Sequence, residues 1–100
     1  VGAQREGVGG ACGKGVTVGV TERNEACSAR ALVFARGIGL GLAKVNSDGG
    51  AIALGHPLGA TGARIVGKAA SLLVREKGKY ALATQCIGGG QGIASVLEAI

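Results

Sequence analysis

TGARIVGKAASLLVREKGKYALATQCIGGGQGIASVL, residues 61–97, carries the strongest patterning in the chain. Ile65, Val66, Ala69, Ala70, Leu72 and Leu73 recur at helical spacing. Arg64, Lys68, Ser71 and Arg75 mark the opposite stripe, expected to face water. The spacing predicts a helix from about Thr61 to Glu76, with Gly78 ending it. Tyr80 to Gln85 (YALATQ) alternates large and small side chains and reads as a strand. Ile93 to Leu97 (IASVL) reads as a second strand. The loop between them, CIGGGQG from Cys86 to Gly92, suits the turn of a hairpin packed on the amphipathic helix.

Upstream the pattern weakens. Residues 1–15 (VGAQREGVGGACGKG) read as loop. Val16 to Val20 (VTVGV) has the β-branched residues of a strand, weakened by Gly19. Asn24 to Arg36 (NEACSARALVFAR) reads as a helix. Asn24 would be its N-cap, Glu25 would sit in the first turn and Gly37 would be the C-cap. Lys44 to Asn46 suggests a short strand, and SDGG at 47–50 a turn.

The 100 residues suffice for one modest domain or a piece of a larger one. Phe34 and Tyr80 are the two aromatic residues, so the core is built from Val, Ile, Leu and Ala. Glycine reaches 21 of 100 without a Gly-X-Y period, which excludes collagen. A mean hydropathy of +0.39 argues against disorder. No apolar run approaches the ~20 residues of a membrane span, and no signal peptide opens the chain. With no Met in the sequence, the chain is expected to be a fragment or a processed product. The net charge of +5 favours acidic partners in general. The eleven basic residues are scattered, however, with no run and no interleaved aromatics, so nucleic-acid binding is not expected.

Cys12, Cys27 and Cys86 are odd in number and widely spaced. They suit neither a disulfide framework nor a zinc site, and no metal is expected. Thiols kept reduced point to a reducing compartment, cytoplasmic in the first instance, or mitochondrial or peroxisomal in a eukaryote. The final Glu98-Ala99-Ile100 is no peroxisomal tripeptide.

Two Gly-rich loops carry residues with chemistry. In Gly55-His56-Pro57-Leu58-Gly59 the only His and the only Pro stand together before the long helix. Such a His is equally often a plain polar loop residue. Here flanking glycines let backbone and ligand approach closely, and a neutral imidazole can take a proton from a thiol or donate to an oxyanion. In Cys86-Ile87-Gly88-Gly89-Gly90 a thiol at a strand end meets consecutive glycines. Their N–H groups can turn toward one point and bind an oxyanion; the bland alternative is a Gly-rich hairpin with a structural Cys. No stretch fits the dinucleotide or phosphate-loop fingerprints. One His and one Cys in separate loops suggest cysteine-based acyl or proton transfer, without naming a substrate.

GGAIALGHPLGATGAR (residues 49–64) and ALATQCIGGGQGIA (residues 81–94) resemble the C-terminal part of thiolases, the acetyl-CoA acetyltransferases and 3-ketoacyl-CoA thiolases. Asn24-Glu25-Ala26 and its spacing to Lys44-Val45-Asn46 resemble the family's Asn-Glu-Ala-Phe region. The resemblance covers residues 22–100 and leaves 1–21 as an unassigned Gly-rich segment. It implies an α/β fold, a partial thiolase C-terminal domain with helices packed on a mixed sheet. It also implies roles. His56 would activate a nucleophilic Cys and help form an oxyanion hole. Asn24 would hold a water completing that hole. Cys86 would be the acid and base at the acetyl α-carbon and the departing thiol, and the Gly88 N–H would belong to a second oxyanion hole.

The resemblance makes a coenzyme A thioester the substrate, acyl-CoA or acetyl-CoA. It implies no separate cofactor and a homo-oligomer for full-length members; the scattered charge and short apolar runs add the expectation of no nucleic acid and no membrane. Cofactor-binding residues are not assigned. The family's nucleophilic Cys lies in an N-terminal half that is absent here. Cys12-Gly13-Lys14-Gly15 is similar to its Cys-Gly-Ser-Gly motif but sits too close to the other motifs. Cys27 stands where the family has Phe, and Arg23 where it has an apolar residue. The chain alone is therefore expected to be inactive. The alternative is a non-catalytic thiolase-derived fragment acting as an interaction module.

Overall fold

The computed structural model describes residues 9, 18–25, 28–37, 39 and 41–100. The long helix and the hairpin form as the sequence predicts. Helix α3 (Thr61–Arg75) lies on a three-stranded sheet of β1 (Val20–Arg23), β2 (Tyr80–Gly88) and β3 (Gln91–Glu98). Strand order is β1-β2-β3, with β1 parallel to β2 and β2 antiparallel to β3. This is the expected α/β arrangement of helices on a mixed sheet. Upstream of α3 lie α1 (Ser28–Gly37), a 3-10 turn (Leu42–Lys44) and the single helical turn α2 (Ala51–Leu54).

The core forms where α3 meets the sheet. Ile65, Ala69, Leu72 and Leu73 of the helix pack with Val20, Ala81 and Ala83 of the central strands, and Leu97 and Ala99 close one side. Small side chains on the strands let the helix sit close, and each buried Leu or Ile contributes roughly 1.5–3 kcal/mol. Thr21 and Arg23 alternate to the other face, where the Arg23 guanidinium lies 4.7 Å from the Phe34 ring centroid of α1. Asp48 ties the preceding loop to α3. It accepts two hydrogen bonds from Arg75, at 2.6 and 2.8 Å, and one from Lys68 at 2.5 Å. These hold its carboxyl well below the usual carboxylate range.

Several expectations are corrected. The first strand is Val20–Arg23 rather than 16–20, with residues 16 and 17 outside the described set. Its Thr-Glu-Arg sequence gives no strand signal, yet all four residues are buried because they lie beside β2 and beneath α3. Asn24 is not a helix cap, since its N–H donates to the Thr84 carbonyl at 3.1 Å and extends the β1–β2 pairing. The helix after it begins at Ser28 instead.

Lys44 to Asn46 is not a strand. It gives a 3-10 turn and an isolated parallel bridge between Val45 and Thr21. Arg64 is not solvated: all three guanidinium nitrogens are enclosed. At the C-terminus of α3 the left-handed residue is Lys77, φ +50°, rather than Gly78. The N–H groups of Lys77 and Gly78 donate to Val74 and Leu73, satisfying carbonyls the helix leaves open. Both hairpin strands run longer than their alternation suggested, so Cys86 and Ile87 lie within β2.

Candidate active site

In open α/β sheets, ligands collect outside the carboxyl ends of parallel strands. β1 and β2 are parallel, and their carboxyl ends deliver Asn24 and Cys86 to one side of the molecule. The loop between α2 and α3 brings His56 there. His56, Leu58, Thr61, Gln85, Cys86, Ile87 and Gly88 line one open hollow of about 430 Å³. His56 is exposed and Cys86 half-buried, so neither is sealed in hydrocarbon.

The hydrogen bonds around the imidazole are specific. His56 Nδ1 lies 2.7 Å from Thr61 Oγ1, and the Thr61 hydroxyl donates to the Pro57 carbonyl at 2.8 Å. Pro57 thus ends one loop segment and anchors the next, four residues before the helix begins. The buried Asn24 turns its amide nitrogen toward the ring, 3.4 Å from Nδ1 and 3.5 Å from Nε2. Near-equal distances at this length describe a contact across the ring, weaker than a directed hydrogen bond. The Asn24 amide oxygen is buried with no hydrogen-bond partner among the described residues.

The neighbouring Glu25 grips the same loop from another side. The Ile52 N–H of α2 donates to Glu25 Oε2 at 3.5 Å. Asn46 pairs with β1 through both ends of its side chain. The Arg23 N–H donates to its Oδ1 at 2.7 Å, and its Nδ2 donates to the Arg23 carbonyl at 3.0 Å. A Cβ on Gly50 would strike the Asn46 amide and the Glu25 carboxyl, so a larger residue there would displace them. The Asn24-Glu25 and Asn46 segments therefore hold the start of the loop that carries His56.

On the opposite wall, β2 turns into β3 through Gly88, Gly89 and Gly90, with φ of +103°, +54° and +77°. These are left-handed values that glycine adopts without the strain a Cβ brings. The pairing shifts register between Cys86 and Gly88, a bulge of the kind that re-aims side chains near functional sites. Gly88, which opens the turn, lines the same hollow as Cys86.

Glu22 is a charged residue the sequence reading did not single out. It is 0% exposed, and neither carboxylate oxygen has a hydrogen-bond partner among the described residues. Burial pushes its carboxyl up to about 7, against the attraction of Arg64 and Lys68 and with the help of Asp48 and Glu25.

The four residues singled out from sequence are all found at this end of the molecule. Asn24 contacts His56, and Cys86 and Gly88 line the hollow with it. Thr61 was missed, although a threonine opening the helix after His-Pro is a readable signal for a side chain turned back on that loop. Gln85 was missed for want of any local signal. Cys12 and Cys27 lie outside the described residues. Among the described residues no cluster of His, Cys, Asp or Glu is placed to hold a metal ion, and no helix is long and apolar enough to cross a membrane.

The family model for the thiolase C-terminal domain matches residues 7–99. The chain is 56% identical over 81 residues to the beta-ketothiolase BktB of Cupriavidus necator, covering 81% of this chain and 21% of that protein. It is 48% identical over 79 residues to the human mitochondrial 3-ketoacyl-CoA thiolase, covering 79% of this chain and 20% of that protein. The crystal structure of the human mitochondrial 3-ketoacyl-CoA thiolase superposes with a TM-score of 0.79 at 46% identity, covering 83% of this chain and 21% of that one. The chain thus spans about a fifth of the length of the curated relatives it matches. Family model, sequence identity and fold agree: the chain belongs to the thiolase family and carries its C-terminal domain.

Proposed function

We propose that this chain is the C-terminal catalytic segment of a thiolase. Such an enzyme transfers acyl groups between acyl-CoA and acetyl-CoA, by Claisen condensation in one direction and thiolysis in the other. The observation that carries the reading is that His56 and Cys86, thirty residues apart in sequence, line one hollow together with Gly88. That relatives of this identity are thiolases, and that a solved human relative is described in complex with CoA, supports a coenzyme A thioester as the substrate.

The work of each residue follows from its atoms. The His56 ring accepts a proton from a nucleophilic thiol supplied by the rest of the enzyme, freeing a thiolate to attack the thioester carbonyl. Cys86 gives its proton to the departing CoA thiolate. It then takes one from the α-carbon of the second acetyl group as the new carbon–carbon bond forms. The Gly88 N–H stabilises the oxyanion of one carbonyl, and His56 with a water held by Asn24 stabilises that of the other. No separate cofactor enters. The complete enzyme is a homo-oligomer in a compartment that keeps thiols reduced, the cytoplasm or, in a eukaryote, the mitochondrion or peroxisome.

The test is reconstitution. The purified chain alone is expected to give no thiolysis of acetoacetyl-CoA. Mixed with the preceding portion of a thiolase it is expected to give turnover, lost with His56→Ala and with Cys86→Ala. Turnover by the chain alone, or activity indifferent to both substitutions, would overturn the assignment.

A second reading, a non-catalytic interaction module, draws on a different surface. Glu25, Ala31, Leu32, Leu42, Val45 and Ile52 line a mostly apolar cavity of about 230 Å³ away from the imidazole. Tight association without activity in the same mixing experiment would favour that reading.

A further inference from the structure

We infer that Thr61 is the positioning residue that fixes the tautomer of His56, holding the proton on Nδ1 and leaving Nε2 bare. The Thr61 hydroxyl has one hydrogen and two close neighbours, the Pro57 carbonyl oxygen at 2.8 Å and His56 Nδ1 at 2.7 Å. A carbonyl oxygen can only accept, so at that distance the hydroxyl hydrogen belongs to it. The contact to His56 can then be a hydrogen bond only if Nδ1 carries the hydrogen and donates to Oγ1. The neutral ring has one N–H, so Nε2 keeps its lone pair.

Two further observations fit. Thr61 is 2% exposed at the first position of α3, so its hydroxyl has no competing bulk water. Asn24 lies at near-equal distances from the two ring nitrogens, 3.4 and 3.5 Å, so it favours neither tautomer and leaves the choice to Thr61. Pro57 contributes through its carbonyl, which also accepts the Ala60 N–H at 3.0 Å and is thereby fixed in direction. The loop from His56 to Thr61 closes on itself, so the orientation of the imidazole is set by the start of the helix. A bare Nε2 is the form needed to accept a proton from a thiol. The catalytic meaning of the inference rests on the acyl-transfer reading, whereas the tautomer itself does not.

The chain holds a single histidine, so long-range 1H–15N correlation spectra of the 15N-labelled chain report on this ring alone. On the neutral ring, Nδ1 is expected at the protonated position and Nε2 at the bare one. Thr61→Ser keeps that pattern. Thr61→Val, equal in size but without the hydroxyl, inverts it toward the Nε2–H form that a free ring prefers. In the reconstituted enzyme Thr61→Val lowers kcat about tenfold or more with KM within about twofold, and Thr61→Ser restores most of the loss. A bare Nδ1 in the unsubstituted chain overturns the inference even if the valine variant does not fold. So does a folded valine variant with unchanged ring signals. A protonated Nδ1 in a chain that cannot be reconstituted counts against the acyl-transfer reading and leaves the role of Thr61 standing.

Discussion

Asn46 does for the outer edge of β1 what a neighbouring strand would do. Its backbone N–H donates to the Thr21 carbonyl at 2.8 Å, and its side-chain amide pairs with both polar groups of Arg23. Asn46→Ala strands a buried N–H and a buried carbonyl and places a Cβ-bearing residue without a compensating side-chain bond at φ +50°. The expected loss is about 2–4 kcal/mol in urea unfolding. Asn46→Asp, which still accepts from the Arg23 N–H but cannot donate, is expected to fall between. Equal stability of the alanine variant would show that water replaces the amide. Residue identities such as these were only partly legible. Asn24-Glu25 before an apolar run is the signature of a helix cap, and the same two letters serve a strand end when another strand claims the backbone. His56 and Cys86 stood out because glycines surround them, while Thr61 was hidden inside a helical pattern.

Among the elements, α3 was readable because its apolar stripe is long and its period regular. β1 was not, because Thr21, Glu22 and Arg23 resemble a surface segment and become interior only when a helix and a second strand arrive. Arg64 failed for a related reason: a stripe of charges at helical spacing does not reveal that one of them is enclosed. The cost of that burial has a sign that can be worked out for Glu22. Its folded carboxyl lies near 7 and its unfolded one near 4.5, so folding takes up a proton between those values. Stability is therefore expected to fall as pH rises from about 4.5 to 7, by at most about 3 kcal/mol. Glu22→Gln should flatten that segment of the profile in urea unfolding. The lowered carboxyls of Asp48 and Glu98 act with opposite sign and in a separate window, losing their contribution only as pH falls below about 4.5. A profile rising between pH 4.5 and 7 would refute the assignment to Glu22.

For the molecule as a whole, the sheet direction organises the chemistry. Two parallel strands end on the same side, a helix starts there, and a hairpin turns there. The arrangement was legible through the two long motifs, whereas the apolar surface left uncovered was not. Leu32 is 44% exposed and Ile52 62% exposed beside the cavity they line. The isolated chain is expected to self-associate through this face in sedimentation velocity. Leu32→Gln with Ile52→Gln should reduce that association while leaving the thermal midpoint nearly unchanged, since neither side chain belongs to the core. Unaltered association would place the sticky surface elsewhere.

The run of left-handed residues from Gly88 to Gly90 also limits what this fold can become. A wall made of backbone has no side chains for selection to alter, so it offers the same face to every guest. On the acyl-transfer reading proposed above, preference among acyl groups is written in the positions still at liberty to vary, and around this hollow Leu58 and Ile87 are the apolar ones. The backbone is held constant while the side chains beside it drift.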